Sequence, residues 1–248
     1  MRMIQRMIKS QFIGFLCFML LWEILHLTLH THTIPSPIAT FVYSFMDSKS
    51  LLLHSLASIL RVIIAVSISL SLGIPLGIIL GTNKICKGLF SPLLYFIYPI
   101  PKVAFLPIFM LLFGLGNVSK IVLIIWIIIF QIILSVRDGV EQIPSIYFKV
   151  MNSYQSTTMQ NYRNLILPAI LPQVFSGLRI SIGISLASLF FAENYATRRG
   201  IGYYILSAWT KMNYVEMFGG ILVLGLVGVL LYKILDKIEA FCTPWIRR

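Results

Sequence analysis

Residues 62–80 read VIIAVSISLSLGIPLGIIL, nineteen positions without a charged side chain. A helix rises about 1.5 Å per residue, so a run of this length matches a hydrocarbon core of about 30 Å. Residues 121–136, IVLIIWIIIFQIILSV, have the same character and are very rich in isoleucine. Both runs are continuously apolar and lack the period-two alternation of outer-membrane barrel strands, which makes them helices. Four further stretches extend the pattern. Residues 12–29 carry Glu23 and His26 near one end. Residues 89–113 are interrupted by Pro99, Pro101 and Pro107 and contain Lys102. Residues 174–195 contain Arg179 and Glu193, and residues 217–235 complete the set. The expected fold is all-α, a polytopic transmembrane helical bundle of about six spans forming a single transmembrane domain over residues 1–248.

The whole composition agrees. The 248 residues are 58% hydrophobic and 11% charged, whereas roughly a quarter of the residues of a soluble globule are charged. Lipid is therefore the expected solvent. Twenty bases against eight acids give +12. In a membrane chain that excess is read by position, as an orientation mark and not as a nucleic-acid signal. With the amino terminus inside, Arg2, Arg6, Lys9, Lys84, Lys87, Arg137, Lys149, Arg163, Arg179, Lys233, Lys237, Arg247 and Arg248 are cytoplasmic. Lys49, Arg61, Lys120, Arg198, Arg199 and Lys211 are outside, and Lys102 lies within a span. Thirteen bases against six place both termini in the cytoplasm, with Arg198 and Arg199 an exception to the rule.

The basic residues before Phe12 imitate a secretory signal, but no small-x-small cleavage site follows, so the first helix is read as retained. Cys17, Cys86 and Cys242 are scattered, without CxxC spacing, and read as packing residues. His26, His30, His32 and His54 lack an HExxH pattern or a nearby Cys or carboxylate set and read as polar interface residues, with no metal site. Ser55 beside His54 is too little for nucleophilic catalysis. After Pro35 and Pro37, the apolar stretch Ile38 to Met46 is expected to lie along the outer interface. Gly73, Gly77 and Gly81, four apart, share one helix face where small residues let helices approach closely.

The long cytoplasmic segment 137–173 has structure of its own, and connections of this length are usually functional. Ser145 after Pro144 starts a helix on which Ile146, Val150 and Tyr154 recur at i, i+4 and i+8, with Tyr147 and Met151 alongside. A second helix, about Thr157 to Leu167, is expected to stop at Pro168, with Pro172 following. A short amphipathic helix presented this way can pack into the groove of a partner protein.

Leu167-Pro168-Ala169-Ile170-Leu171-Pro172, followed by Gly177-Leu178-Arg179, resembles the end of the EAA loop of binding-protein-dependent ABC transporter permeases. In the same register the family's E-A-A-x-x-x-G pattern falls on Lys149, Val150, Met151 and Gln155, none of which matches it. Pro35-Ser36-Pro37, His54-Ser55-Leu56 with Arg61, Gly73-Ile74-Pro75-Leu76-Gly77 and Tyr98-Pro99-Ile100-Pro101 are similar to the subgroup serving sulfonate, taurine, nitrate and thiamine-precursor importers. So are Leu106-Pro107, Phe113-Gly114-Leu115-Gly116, Ser119-Lys120, Ala192-Glu193 and Gly200-Ile201-Gly202-Tyr203. The resemblance covers about residues 35 to 210 in one order.

It implies a type I importer permease, MetI-like in architecture, in the bacterial inner membrane. Implied partners are a second permease subunit in a homodimer, cytoplasmic ATPases, and a periplasmic or lipid-anchored binding protein that does most of the substrate selection. A small anionic or polar solute is the implied cargo, and Ile146, Tyr147, Lys149, Val150, Met151, Tyr154 and Gln155 the implied ATPase contact. The chain has no GxxxxGK[ST] loop, so nucleotide belongs to a partner; no catalytic residue, cofactor or nucleic acid is expected.

Pro99, Pro101 and Pro107 each remove a backbone donor, and irregular backbone at membrane depth needs protein or a wet cavity around it. They are candidates to line the pathway, with a structural kink as the alternative. Lys102 in a span costs about 2.5 to 3.5 kcal/mol on insertion scales, so it faces a cavity or partner, or else snorkels to an interface. Glu193 either pairs with Arg198 or Arg199 or takes part in gating. A self-sufficient secondary transporter or channel usually shows inverted repeats, and no repeat relates the two halves here; an intramembrane enzyme would need acid, base or metal groups in its spans, and these are nearly absent.

Overall fold

The computed structural model describes residues 2–29 and 33–247, with the side chains of residues 13–29 and 33–245. His30 and His32 lie outside the described residues, as do the side chains of Arg2, Arg6, Lys9, Arg247 and Arg248. Every regular element among the described residues is helical: α1 (Arg2–Leu29), α2 (Pro37–Met46), α3 (Ser48–Thr82), α4 (Lys84–Ile97), α5 (Leu106–Phe113), α6 (Asn117–Glu141), α7 (Ser145–Ser153), α8 (Thr158–Asn161), α9 (Leu167–Glu193), α10 (Ile201–Thr210) and α11 (Tyr214–Cys242). Short side chains start several of them. Ser36 Oγ accepts from the Ala39 N–H at 3.2 Å with Pro37 in the first turn of α2, and Asn83 Oδ1 accepts from the N–H groups of Ile85 and Cys86 at the start of α4. Thr157 and Gln160 form a reciprocal capping box at α8.

Four helices are long and apolar enough to cross a membrane, and a fifth crossing is made if α4 and the segment Lys102–Phe113, bent by 87° at their junction, count as one. The described apolar part of α1 is shorter, so six spans is an approximate count. The helices overrun the apolar runs at both ends: 62–80 lies within α3 and 121–136 within α6. Protein partners explain the surplus, because Ser55, Ser58 and Arg61 in the less apolar half of α3 are buried in the protein.

α6 is the hub. The glycine face of α3 lies directly against it: a Cβ at Gly77 would sit 2.5 Å from Val136 Cβ and 2.8 Å from the Ile133 carbonyl oxygen, and Gly73 and Gly81 meet Ile132 and Val140 in the same way. On its other side Gly177 of α9 abuts Ser135. The largest apolar core joins Ile128, Ile132 and Val136 of α6 to Val62 and Ala65 of α3, Ile170 and Leu178 of α9, and Leu231 of α11. Ion pairs reinforce one end: Lys87–Glu141 at 2.8 Å ties α4 to α6, while Arg179 pairs with Asp236 at 2.8 Å and also with Glu239, tying α9 to α11.

Two proline readings change. Pro99 and Pro101 do break the chain between α4 and a single 3-10 turn, Lys102–Phe105, but Pro107 sits in the first turn of α5, where a missing N–H is harmless. Pro168 does not stop a helix. The chain runs helically from Thr158 to Glu193, because a π turn at Tyr162–Ile166 precedes α9 and the Leu167 N–H reaches back to the Tyr162 carbonyl. Pro168 then falls in the first turn of α9, and Pro172 lies inside that helix. The segment between α6 and α8 therefore narrows to residues 142–157, most of it α7.

Candidate functional site

At one end of the bundle α7 stands out from the helices it connects. Ile146, Tyr147, Val150 and Tyr154 are all exposed, Tyr154 at 80%, while Phe148 turns inward against the core and Met151 is half-buried. The apolar stripe expected at i, i+4 and i+8 is thus present and largely exposed. Lys149 is also exposed. The helix ends with Gln155 at φ +52°; the Gln155 N–H bonds the Asn152 carbonyl at 2.9 Å and the Ser156 N–H bonds the Met151 carbonyl at 3.2 Å. This is a left-handed helix terminus of the kind glycine favours, and Gln155 occupies it at a steric cost. Beside α7 opens a cleft of about 540 Å³ lined by Tyr147, Pro144, Pro168, Pro172, Gln173 and Trp245. Two of the loop-end residues, Pro168 and Pro172, therefore face the same recess as α7, whereas Gly177 serves helix packing and Leu167 is partly exposed.

Lys102, at the proline break, is neither free nor carboxylate-paired. Its Nζ donates to the Tyr98 carbonyl at 2.9 Å and lies 5.0 Å and 5.4 Å from the ring centroids of Tyr98 and Phe130. Those rings hold an ammonium by its charge without neutralising it. Pro107 lines an apolar cavity of about 600 Å³ between the broken span and the end of α9, with Leu106, Met110, Leu115, Phe191 and Tyr195. Pro99, Pro101 and Lys102 are outside that lining.

At the end of the bundle opposite α7 a buried polar network gathers residues far apart in the chain. Glu193, the last residue of α9, has no exposed surface. Its carboxylate pairs with Arg61 of α3 and accepts from Ser58 Oγ at 2.8 and 2.9 Å and from the Gly202 N–H at 2.8 Å. Arg61, 5% exposed, further donates to Asn117 Oδ1 at 2.7 and 3.0 Å and to the Arg199 carbonyl at 2.7 Å. Ser58 Oγ accepts the Ile201 N–H, and His54 Nδ1 accepts the Gly200 N–H at 3.0 Å. Gly200 has φ +150°, and a Cβ there would collide with the Glu193 carboxylate, so only glycine fits. Nearby, Tyr204 of α10 donates to Asp47 Oδ2 at 2.7 Å, and burial together with that carboxylate pushes its phenol well above the usual range.

Glu193 thus takes Arg61 as its partner; Arg198 and Arg199 offer it no side-chain contact, although the Arg199 carbonyl joins the network. Arg61 and Lys120, counted in the sequence as outer loop bases, are buried helix residues. The usable signal was their place at the edge of an apolar run, where an ionisable residue calls for a named partner. His26 and His54 are both engaged with backbone, at Ile34 and Gly200.

Residues 73–248 match the family described as binding-protein-dependent transport system inner membrane component. The taurine transport system permease protein TauC of Escherichia coli is 32% identical over 201 residues, covering 81% of this chain and 73% of that protein. The bicarbonate transport system permease protein CmpB of Synechococcus elongatus is 31% identical over 250 residues, covering 95% and 88%. In fold, the chain is similar to a chain of the inward-facing MetNI methionine ABC transporter, with a TM-score of 0.67 at 17% identity over 79% of this chain and 97% of that one.

Proposed function

This chain belongs to the family of binding-protein-dependent transport system inner membrane components, and from that membership we propose that its α7 face is the contact through which a cytoplasmic ATPase drives it. It is a transport component of the inner membrane and not an enzyme; ATP is handled by a partner subunit. The observation that carries the coupling role is the stripe of Ile146, Tyr147, Val150 and Tyr154, a largely exposed apolar helix face beside the cleft that holds Pro168 and Pro172. Such a face lays into a groove of a second protein. When ATP draws two ATPases together, helices docked in them move, and the bundle alternates between inward and outward openings. Both termini are then cytoplasmic, and a second copy of the chain completes the pathway. The wall of that pathway is the broken span, with Pro99, Pro101, Lys102 and Pro107, together with the adjoining apolar cavity. Relatives named for taurine and bicarbonate support a small anionic or zwitterionic solute, delivered by a binding protein.

The test is Val150→Asp. Val150 is exposed, so the chain folds, while a carboxylate forced into an apolar groove costs several kcal/mol, roughly a hundredfold or more in affinity. The variant should elute as a single species without the ATPase. Undiminished co-purification would overturn the assignment.

A further inference from the structure

Beside the Arg61–Glu193 network lies a recess of about 500 Å³ whose lining includes Arg61, Lys120, Arg198 and Arg199 and no carboxylate. The one acid in the vicinity, Glu193, is behind it and fully engaged by Arg61, Ser58 and the Gly202 N–H. Four positive charges against one negative leave the cluster at about +3.

Lys120 is the most informative of the four. It is 1% exposed, and its Nζ donates only to neutral carbonyls, those of Leu115 at 3.2 Å, Gly116 at 3.1 Å and Ala196 at 3.4 Å. Carbonyl dipoles satisfy its N–H groups but leave its charge uncompensated, and a buried charge is costly unless an opposite one joins it. Arg198 and Arg199 add two exposed guanidinium groups that have no hydrogen-bond or ion-pair partner among the described residues. Gly116 and Asn117, at the N-terminus of α6, line the same recess, so the positive end of a 25-residue helix points the same way. Ala196, whose carbonyl faces Lys120, stands at φ +48°, a left-handed conformation unusual for alanine.

We propose that this recess is a binding site for a small free oxyanion, held by the Arg198 and Arg199 guanidinium groups and attracted by the uncompensated charge of the buried Lys120 ammonium behind them. The fork geometry of arginine suits a planar or tetrahedral oxyanion. Leu115 is shared with the apolar cavity next door, so an oxyanion carrying a short apolar body has room for both parts. The site deepens the permease reading, on which it rests, by giving the anionic cargo a place of capture at the end of the bundle opposite α7.

The experiment uses the full chain with its ATPase in nanodiscs of phosphatidylcholine alone, titrated with radiolabelled methanesulfonate. Saturable binding is expected, competed by nitrate but not by choline. Arg198→Gln with Arg199→Gln, two exposed changes outside the packed network, should weaken it at least tenfold while the ATPase still co-purifies. Equal affinity in the double variant, or no saturable binding, overturns the site. Repeating the titration in nanodiscs containing phosphatidylglycerol separates the sources. Unaltered methanesulfonate binding supports a free oxyanion; binding weakened or abolished by that lipid in the wild type assigns the cations to a lipid headgroup and overturns the proposal. Loss of the ATPase from Val150→Asp is a separate readout, so failure of either idea leaves the other intact.

Discussion

Replacing Arg61 by methionine leaves a fully buried carboxylate without its cation. Four interactions go: the pair with Glu193, the two N–H bonds to Asn117 and the bond to the Arg199 carbonyl. Glu193 keeps only the Ser58 hydroxyl and the Gly202 N–H. Breaking a buried pair from one side costs about 3–5 kcal/mol. At about 2–4 °C per kcal/mol for a chain of this size, Arg61→Met should lower the melting temperature of the detergent-solubilised protein by about 6–20 °C. Glu193→Gln keeps the shape of the acid and leaves Arg61 its Asn117 and Arg199 acceptors, so it should cost less, about 1.5–3 kcal/mol for the lost charged hydrogen bonds. In the double variant neither charge is stranded. Its loss should be smaller than the sum of the two single losses by about 0.5–3 kcal/mol. Heating followed by fluorescence-detected size exclusion measures all three. A shift under 2 °C for Arg61→Met, or strict additivity in the double variant, would refute the claim that this pair locks α3 to α9.

Gly77→Leu should impair assembly or lower thermal stability by about 1–3 kcal/mol or more, because its Cβ would meet Val136 and the rigid Ile133 carbonyl; Gly88→Leu, which has open space around it, is the control. Gln155→Gly should raise stability by up to about 1–2 kcal/mol by relieving the left-handed backbone after α7, read as a higher melting temperature. Lys102→Ala should slow uptake of an anionic substrate in proteoliposomes while leaving assembly intact; unchanged uptake would remove Lys102 from the pathway.

The sequence carried the fold a long way because composition and run length are local quantities. Nineteen uncharged residues at 62–80 had one reading, and Gly73, Gly77 and Gly81 pointed to the helix contact that the structure places against α6. The α7 stripe was equally legible from a 3.6-residue period. Illegible were features that depend on how helices rotate against each other. Arg61 and Glu193 are 132 positions apart, and nothing in either neighbourhood names the other. Arg198 and Arg199, the near choice, do not pair with Glu193 because the turn that follows α9 carries their side chains outward and joins the network through backbone alone, the Arg199 carbonyl and the Gly200 N–H. In the sequence Pro168 reads as a stop because proline removes a donor; a five-residue wide turn just upstream, which no simple pattern announces, lets the helix continue.

The unbroken run from Thr158 to Glu193 has a mechanical meaning. Thirty-six residues at 1.5 Å make a rod of about 54 Å, one end next to α7 and the other fastened by Glu193 to Arg61. A lever of that length tilted by about 5° sweeps its far tip through about 5 Å, the scale of one helical turn. The π turn at Tyr162–Ile166 sits at the α7 end, so compliance is placed next to α7 and stiffness next to the Arg61–Glu193 pair.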